Sequence, residues 1–518
     1  MRPVIVVPAT PTTNGTLHVG HLAGPYLAAD VYARFERAAG HQVCHATVTD
    51  DSQSYVVTSA RRLGTTPREL VASATAEIED SLNALGALSG GLPPIDDVYR
   101  RTVLDFIGAL HESGRFQRRT VALPYAVNAK RFLYDALMTG SCPVCLAASS
   151  GGTCESCGHP NTFAELLDLR YTDDPTDTVV TREHEILVLP LEDYRDRLAA
   201  YYATRTRSWR PHARALIDEL MARPLPEIPV TIPGDWGIPA PFAPTQGQVL
   251  YPWVEAMPAV VYATWWFDGG REPSVDALWL AERDPRIVYF HGFDNVFHWG
   301  LLDLALLLAH GDRYALPENN VCNEFYELDG EKFSTSRGHL VTGSDLLAKV
   351  PRDLVRFHLC ADAPETQRSN YTEAGMHDTV TRGLVEPWNR LSDRLDQAGS
   401  GLPQATTASG RHQARLMADR FRLGYAVADF SPRRVAETLT QQLDRVSGSV
   451  ELPLGDLLLQ VRTIVAFSAP ILIDVAAALT DAGVDLALDS CAATEVPMFT
   501  LPRLPVLGGV MSTKRENV

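Results

Sequence analysis

The sequence predicts an α/β fold built around a parallel sheet, and three segments carry that prediction. Residues 4–8 are apolar and largely β-branched, which is typical of a strand buried inside a parallel sheet. A turn at Asn14-Gly15, a helix over about residues 19–38 and a second strand over residues 43–49 complete one βαβ unit. Residues 287–290 repeat the strand pattern much later in the chain. Open sheets of this kind bind ligands at the carboxyl ends of their strands, so we expect the chemistry there.

Length and composition place this sheet within a larger protein. A chain of 518 residues is expected to divide into about two to four domains. The net charge of −17 argues against a surface devoted to nucleic acid. A local basic groove stays open, beside the alternative of a solvated helix face, and its candidate residues are Arg205, Arg207, Arg210 and Arg214 with Lys130 and Arg131. Apolar runs are too short for a bilayer span, and the stretch at residues 4–9 is too short for a signal peptide. The sequence therefore predicts a cytoplasmic protein without a membrane partner.

The segments after the first βαβ unit differ in composition, which indicates further domains. Polar helical sequence runs over about residues 67–118, and a cysteine-bearing segment at roughly 119–170 looks inserted into the sheet domain. A proline-rich stretch over residues 224–244 marks the return from the insertion. The pattern over about residues 375–482 is helical. One apolar face of this region contains residues spaced four apart: Val435, Leu439 and Leu443.

Four of the eight cysteines form two Cys-x-x-Cys pairs separated by eight residues: Cys142, Cys145, Cys154 and Cys157. In a cytoplasmic protein this spacing indicates zinc rather than disulfides. Four thiolates around a tetrahedral zinc leave no open coordination position. The sequence therefore predicts one structural Zn²⁺ whose binding contributes to the folding of the insertion.

Two distant motifs carry the predicted chemistry. The first is HVGH at residues 18–21, and the second is KFSTS at residues 332–336. An isolated HxGH is weak evidence, since two histidines on one helical turn are often surface or core residues. Two imidazoles that follow a parallel strand in the sequence, together with a lysine in a Ser/Thr-rich loop, indicate a site that binds ATP and cleaves it at its α-phosphate.

The residue types indicate how each group would act on ATP. Backbone N–H groups near Asn14, Gly15 and Gly20 would approach the phosphates at a helix start. His18 and His21 would donate hydrogen bonds to the α-phosphate as it becomes five-coordinate. Lys332 would neutralise the leaving pyrophosphate on a loop that closes. The same ATP-binding loop contains three small hydroxyl residues: Ser334, Thr335 and Ser336.

Acidic residues at strand ends complete the set. Asp294, next to Gly292, is placed to bind the ribose hydroxyls, with a helix N-cap as the alternative. Asp50 follows the second strand and suits a substrate ammonium. Asp51 is the alternative for this role, or it caps the next helix.

Together these residues resemble a class I aminoacyl-tRNA synthetase, and within that class the methionyl-tRNA synthetase family. The resemblance covers roughly residues 4–480, with the motifs in family order. Beyond the two motifs above, it rests on RFLYD at 131–135, DWGIP at 235–239, YPWVEA at 251–256 and FHGFDN at 290–295.

The resemblance implies a Rossmann-type class I synthetase catalytic domain with an inserted zinc-knuckle connective domain and an all-α anticodon-binding-like domain. It also implies ATP with Mg²⁺, an amino acid and tRNA as substrates. The implied boundaries are 1–118 and 226–345 for the catalytic halves, 119–225 for the connective insertion, 346–378 for a stem-contact-like segment, 379–485 for the helical domain and 486–518 for a C-terminal tail.

The chain departs from the family around the amino acid. The resemblance assigns this pocket to Thr10, Thr12, Asp50, Trp253, Ala256, Met257, Val260 and His298. Thr10 and Thr12 stand where the family has an aliphatic residue and a tyrosine, Met257 where it has proline, and Val260 where it has another tyrosine. Exchanging aromatic walls for hydroxyls disfavours a thioether and favours a smaller or more polar side chain. The identity of the amino acid therefore stays open.

Further departures concern ATP and tRNA. Thr335 replaces the second lysine of the signature loop, which removes one phosphate-binding charge. Asn389 resembles the anticodon-contacting asparagine, but Asp393 occupies the position of the arginine that should follow. No tryptophan follows Trp388, so the base-stacking residue is missing. Each lost stacking contact costs about 1–3 kcal/mol, enough to blur anticodon choice.

Three functions fit these observations. The first is a tRNA ligase that forms an aminoacyl-adenylate and transfers the aminoacyl group to tRNA. The second is a paralogue in specialised metabolism that esterifies a small acceptor, such as an N-hydroxylated amino acid, toward N–N bond formation with a separate cupin partner. The third is a non-catalytic relative, which the retained His18, His21 and Lys332 disfavour.

Overall fold

The computed structural model describes residues 2–88, 91–333, 339–449 and 451–508. The chain forms two compact units, each assembled from separate stretches of sequence. The first unit comprises residues 1–17, 42–81 and 88–323, and the second comprises residues 18–41, 82–87 and 324–518. The first signature motif thus begins the second unit, directly after the strand and turn that precede it.

A four-stranded parallel sheet organises the first unit, in the order Asn319–Asn323, Arg286–Gly292, Val4–Pro8 and Val43–His45. Val4–Pro8 pairs on both sides and is buried throughout, so the predicted parallel sheet is confirmed. The strand predicted over residues 43–49 is shorter, because regular pairing stops at His45. Beyond it the chain keeps single backbone bonds, such as the Asp50 N–H to the Pro11 carbonyl at 2.9 Å.

The segment between the sheet strands is antiparallel. Gln117–Ala126 pairs along its length with Val179–Pro190, and Glu227–Pro229 and Arg131–Phe132 extend this sheet at its edges. The cysteine-bearing part consists of short strands: Met138–Ser141, Ala148–Ser150, Gly152–Thr153, Pro160–Asn161 and Leu167–Tyr171. Thr231–Ile232 and Val249–Leu250 pair where the chain returns.

Most helices of the first unit pack apolar faces into one large core that includes Val7, Ile287 and Tyr289 from the parallel sheet. These helices are Asp97–Glu112, Arg195–Arg205, Pro211–Met221, Pro252–Phe267 and Asp303–Ala309. Ser54–Leu63 and Pro67–Leu85 instead pack against each other in a smaller apolar cluster. Pro67–Leu85 continues into the second unit from Leu82. A π-helical turn, His298–Leu302, leads directly into Asp303–Ala309.

The helix predicted over residues 19–38 is interrupted. Val19–His21 form one helical turn, Leu22–Tyr26 widen into a π-helical turn, and Leu27–Ala38 is regular. The break falls at Gly24, whose ψ of −119° is not helical, and at Pro25, which has no backbone N–H to donate. The prediction of one continuous helix is therefore wrong at residues 22–26, although both of its ends are helical.

The rest of the second unit is mainly helical. Its helices are Gly343–Lys349, Arg352–Ala361, Glu373–Val380, Thr381–Val385 (π), Glu386–Ala398, Ala408–Tyr425, Pro432–Gly448, Leu454–Ser468 and Ile473–Asp481. Short strands lie at Tyr326–Leu328, Glu331–Lys332, Ser369–Tyr371, Gln404–Ala405 and Glu495–Val496. Val435, Leu439 and Leu443 are each no more than 1% exposed, which confirms the predicted apolar face. No helix among the described residues combines the length and apolarity needed to cross a membrane.

A fully buried arginine joins separate stretches of the second unit. Arg356 Nη2 lies 2.6 Å from Oδ2 of Asp30 on the helix that follows the first signature motif. Its other N–H groups donate to the carbonyls of Leu85, Pro470 and Ile471. Because this cation has a carboxylate and three carbonyls around it, its burial is compensated within the unit.

Candidate functional site

The two Cys-x-x-Cys pairs form two knuckles with the same backbone pattern. In the first, Leu146 N–H donates to the Cys142 carbonyl, and in the second, Gly158 N–H donates to the Cys154 carbonyl. The residue after each pair has positive φ, +63° at Leu146 and +72° at Gly158. This geometry turns all four thiols inward, and their sulfur atoms lie within 4.8 Å of one another.

These distances fit a tetrahedral zinc. A Zn–S bond of about 2.3 Å gives sulfur–sulfur separations of about 3.8 Å. Cys142 and Cys157 Sγ are 3.8 Å apart, and Cys145 and Cys154 Sγ are 3.6 Å apart. The four-thiol cluster predicted from spacing is confirmed, and it is suited to holding zinc with all four coordination positions filled by protein.

At the carboxyl edge of the parallel sheet, the first unit places the predicted residues Thr10, Thr12 and Asp50 on adjoining segments. Thr12 and Asp50 form an isolated parallel bridge, so the loop after the first strand runs beside the loop after the second. Asp50 is only 8% exposed and accepts a 2.8 Å hydrogen bond from Gln53 Nε2. Asp51, the alternative partner for an ammonium, accepts from Thr13 Oγ1.

Asp50 belongs to a cluster of buried carboxyl groups. Burial raises the pKa of Asp50 well above its ordinary value, and the charges of Glu255, Asp51 and Asp135 raise it further, against the hydrogen bond from Gln53. Burial raises the pKa of Glu255 to about 7, although Tyr99 donates a 2.6 Å hydrogen bond to it. Burial also raises the pKa of Asp135 to about 7, against a 2.8 Å hydrogen bond from Tyr251 and the nearby polar N–H of Trp253.

Within the described part of the chain, neither Asp50, Glu255 nor Asp135 forms an ion pair with a lysine or arginine. Burial is the first cause of each raised pKa, and the charge of Arg100, which lowers the pKa of Glu255, does not offset it. A ligand amine would supply an ion-pair partner. Sequence reasoning missed Glu255 and Asp135, although both lie inside motifs that had been recognised. An acidic residue in an otherwise apolar motif was the available signal.

Trp253 and His298 form the ring pair of the predicted amino-acid pocket. Their ring centroids are 3.4 Å apart with an interplanar angle of 5°. His298 is 3% exposed, and burial lowers its pKa to about 3, so its imidazole is neutral. Ala256, Met257 and Val260 are buried on the helix that begins at Pro252. Met257 Sδ accepts from Tyr289 in the core.

The predicted ribose-binding residue follows another sheet strand. Asp294 lies directly after Arg286–Gly292, in a 3₁₀ turn. A Cβ on Gly292 would lie 2.5 Å from Oδ1 of Asp294, so glycine leaves room for this carboxylate. Asn14 and Gly15 are half-buried in the turn after the first strand.

In the second unit, the two signature motifs lie together. The rings of His18 and His21 stack with centroids 3.7 Å apart, and Phe333 stacks on His18 at 4.5 Å. A Cβ on Gly20 would come within 3.0 Å of the His18 ring and 3.2 Å of Phe333, so this approach requires glycine. Lys332 lies close enough that its charge lowers the pKa of both histidines.

Both histidines are neutral, because burial is the first cause of their low pKa values. Burial, His21 and Lys332 lower the pKa of His18 to about 2, and burial and Lys332 lower that of His21 to about 4. The backbone N–H of His18 donates to His21 Nδ1 at 3.2 Å. Since Nδ1 accepts, the proton of neutral His21 resides on Nε2, where it is available as a donor. Ser334, Thr335 and Ser336 lie outside the described residues.

Comparison with known proteins agrees with these observations. The sequence model of the family described as "tRNA synthetases class I (M)" matches residues 4–395. The methionine–tRNA ligase of Porphyromonas gingivalis is 32% identical over 374 residues, which cover 71% of this chain and 54% of the ligase. That of Roseiflexus sp. strain RS-1 is 30% identical over 404 residues, covering 76% of this chain and 68% of the ligase. The chain thus spans about half the length of the first of these relatives.

The fold matches solved structures along nearly the whole chain. Mycobacterium tuberculosis methionyl-tRNA synthetase in complex with methionyl-adenylate superposes with a TM-score of 0.74 at 19% identity, covering 98% of this chain and 100% of that one. Its free form gives a TM-score of 0.67 at 17% identity. The predicted fold class is thereby confirmed. Because the family model matches residues 4–395 and the ligases above are 30–32% identical, the chain belongs to the class I (M) family of tRNA synthetases.

Proposed function

We propose that the chain is an ATP-dependent ligase that converts an amino acid to its aminoacyl-adenylate and transfers the aminoacyl group to an acceptor hydroxyl. The observation that carries this proposal is the stacked group of His18, His21 and Phe333 with Lys332 beside it. Family membership supports it, and tRNA is the default acceptor because the relatives are methionine–tRNA ligases.

The reaction would proceed by in-line displacement at the α-phosphorus of ATP, which enters as its Mg²⁺ complex. A carboxylate oxygen of the amino acid forms the new bond to phosphorus, and the bond to the β-phosphate bridging oxygen breaks as pyrophosphate leaves. His21 Nε2–H would donate to the α-phosphate oxygens, and Lys332 would stabilise the leaving charge. The acceptor hydroxyl then attacks the activated carbonyl, and AMP leaves.

The buried carboxyl cluster supports an amino acid as the substrate. Asp50 would bind the α-ammonium, and the raised pKa values of Asp50, Glu255 and Asp135 give such a cation an added advantage. Asp294 would bind the ribose hydroxyls, and Trp253 and His298 would line the side-chain pocket. Thr10 and Thr12 favour a side chain smaller or more polar than methionine.

A second candidate is the paralogue that esterifies a small acceptor, and one observation favours it. Asn389, which resembles the anticodon-contacting asparagine, is 8% exposed and has both ends of its amide bonded within the chain. Its Nδ2 donates to the Leu504 carbonyl and its Oδ1 accepts from the Leu504 N–H, each at 2.9 Å. Trp388 Nε1 donates to the Pro502 carbonyl. The comparisons give no support for a separate cupin partner.

The test is amino-acid-dependent ATP–pyrophosphate exchange over a panel of natural amino acids, followed by labelled transfer with and without total tRNA. Exchange with transfer to tRNA supports the ligase. Exchange without tRNA charging, and with transfer to an N-hydroxylated amine, supports the second candidate. Absence of exchange with every amino acid would contradict both.

A further inference from the structure

The strand that leads into Cys154 lies against the ring pair. Thr153 Oγ1 is 3.4 Å from both Nδ1 and Nε2 of His298. Because both distances are 3.4 Å, the hydroxyl lies out of the ring plane and is aligned with neither nitrogen, and a rotation of the ring brings one of them into closer hydrogen-bonding range. Among the described residues, the neutral His298 imidazole has no hydrogen-bonding partner other than Thr153.

The ring pair needs an external contact to keep its geometry. Two rings on their own prefer an offset or edge-to-face arrangement over a face-to-face sandwich. Trp253 and His298 are nevertheless parallel within 5°, with centroids 3.4 Å apart. The Thr153 hydroxyl, in contact with the His298 ring, restricts the rotation of that ring, whereas a stacked pair without such a contact has no restriction of this kind.

Glycines allow the strand to come this close. A Cβ on Gly151 would lie 2.3 Å from Met138 Cε and 2.8 Å from the backbone nitrogen of Asp135. Gly152 has a φ of +83°, and a Cβ there would lie 3.1 Å from Asp135 Oδ1. Gly151 N–H also donates to the Asp135 carbonyl at 3.0 Å. The strand is therefore seated on Asp135, the carboxyl group that interacts with Trp253.

The second knuckle, which contains Cys154 and Cys157, fixes the C-terminal end of this strand. Gly152–Thr153 pairs with Pro160–Asn161, and Cys154 N–H donates to the His159 carbonyl between them. The second knuckle is packed tightly, since a Cβ on Gly158 would lie 2.2 Å from Leu216 Cδ2 and 3.3 Å from Phe293 Cζ. Zinc bound by Cys154 and Cys157 would fix the conformation of the turn that closes this strand pair.

We propose that Thr153 is a positioning residue of the amino-acid pocket, which orients His298 against Trp253, and that metal binding at Cys154 maintains its position. This inference rests on the proposed function, because it treats the ring pair as part of the pocket. It adds a role for the knuckle in amino-acid selection, transmitted by the single strand Gly152–Thr153.

The test compares zinc-replete Thr153→Val, which keeps the branched shape but removes the hydroxyl, with Thr153→Ser, which keeps the hydroxyl. Thr139→Val is the matched control, since Thr139 Oγ1 lies 3.4 Å from the Ser149 carbonyl in the same insertion. We expect Thr153→Val to raise the KM for the amino acid about 3- to 10-fold, as for one lost hydrogen bond. The KM for ATP and kcat should stay close to wild type, and Thr153→Ser and Thr139→Val should behave as wild type.

A second readout does not depend on activity. In ¹⁵N-histidine-labelled protein, the His298 resonances, assigned by their loss in His298→Asn, should shift in Thr153→Val and on removal of the metal by a chelator. Unchanged resonances in Thr153→Val would overturn the role of Thr153, and unchanged resonances after metal removal would overturn the link to the knuckle. A wild-type KM in Thr153→Val would also overturn the role. Failure of the wild-type protein to exchange with any amino acid would instead refute the proposed function, and the resonances would still test the contact.

Discussion

The two units bury charge in opposite ways. In the second unit, Arg356 is fully buried, and Asp30 and three carbonyls surround it within hydrogen-bonding distance. In the first unit, Asp50, Glu255 and Asp135 are buried together, and burial raises the pKa of each. The arginine is ion-paired inside the chain, whereas among the described residues no lysine or arginine forms an ion pair with the carboxyl cluster, and Arg100 acts on Glu255 only through its charge.

This difference distinguishes a structural ion pair from the proposed binding site. A buried charge whose hydrogen-bonding and ion-pair partners all lie within the chain contributes to folding specificity, and it has no unpaired group that could bind a ligand. Buried carboxyl groups without a cation are unfavourable in the free protein, and they gain most when a ligand brings a positive charge. We therefore expect substitutions at the first centre to affect stability and substitutions at the second to affect binding.

The largest effect on stability should come from Arg356→Leu. Removing the cation leaves the buried Asp30 with Arg34, 2.9 Å away, as its one ion-pair partner among the described residues. Breaking a buried pair costs about 3–5 kcal/mol of the free energy of unfolding. Urea unfolding followed by circular dichroism measures the loss. Arg352→Leu on the same helix is the control, since its ion pair with Asp474 is partly exposed and is worth about 1 kcal/mol or less. Equal losses in both variants would contradict the structural role of Arg356.

Asp50→Asn should produce the largest effect on binding. Loss of the charged partner of the substrate ammonium should lower the exchange rate at limiting amino acid by roughly 100-fold or more, since such losses cost about 3 kcal/mol. The free protein should keep its stability, because a neutral amide carries no penalty for burial beside Glu255. Asp51→Asn is the matched control. If Asp51→Asn loses activity and Asp50→Asn does not, Asp51 rather than Asp50 binds the ammonium.

His21→Ala should lower the rate of activation by about 100-fold, because it removes one donor aimed at charge that develops in the transition state. Pre-steady-state pyrophosphate release measures this rate. The KM for the amino acid should change little, since the proposed contact of His21 is with the phosphates and not with the amino acid. An unchanged rate of pyrophosphate release would refute the assigned role.

The smallest effect should be the release of protons from the carboxyl cluster when the amino acid binds, and it should depend on pH. Because the pKa values of Glu255 and Asp135 are raised to about 7, their contribution to stability is complete below about pH 4 and is lost as the pH rises through 7. A bound ammonium favours the ionised carboxylates, so amino-acid binding near pH 7 should release protons. Calorimetric titration in two buffers of different ionisation enthalpy measures the release. Proton uptake on binding would contradict a cation-free carboxyl cluster.

The sequence predicted the features that depend on residues close together in the chain. The spacing of Val435, Leu439 and Leu443 predicted a buried helical face, and the spacing of the cysteines predicted the four-thiol cluster. The break at Gly24-Pro25 was also readable, since proline inside a helical pattern interrupts it. It was overlooked because the flanking pattern stayed helical.

The carboxyl cluster and the Thr153 contact depend on tertiary packing, which spacing does not reveal. Glu255 and Asp135 are separated by 120 residues, and their raised pKa values arise from burial, which only the folded unit produces. Thr153 precedes Cys154 of the four-thiol cluster, and nothing in that sequence position distinguishes it from a surface threonine. The sequence therefore predicted the motifs and their chemistry, but it missed the side chains that complete the pocket.

The most direct test of the central claim compares one substrate with and without its amine. Pyrophosphate exchange is measured with the amino acid that supports the highest rate and with the carboxylic acid that lacks only its α-amino group. If the carboxyl cluster binds an ammonium, the amino acid should be used at least about 100-fold more efficiently, as expected for loss of a buried charge partner. Equal efficiency for the two acids would contradict the account.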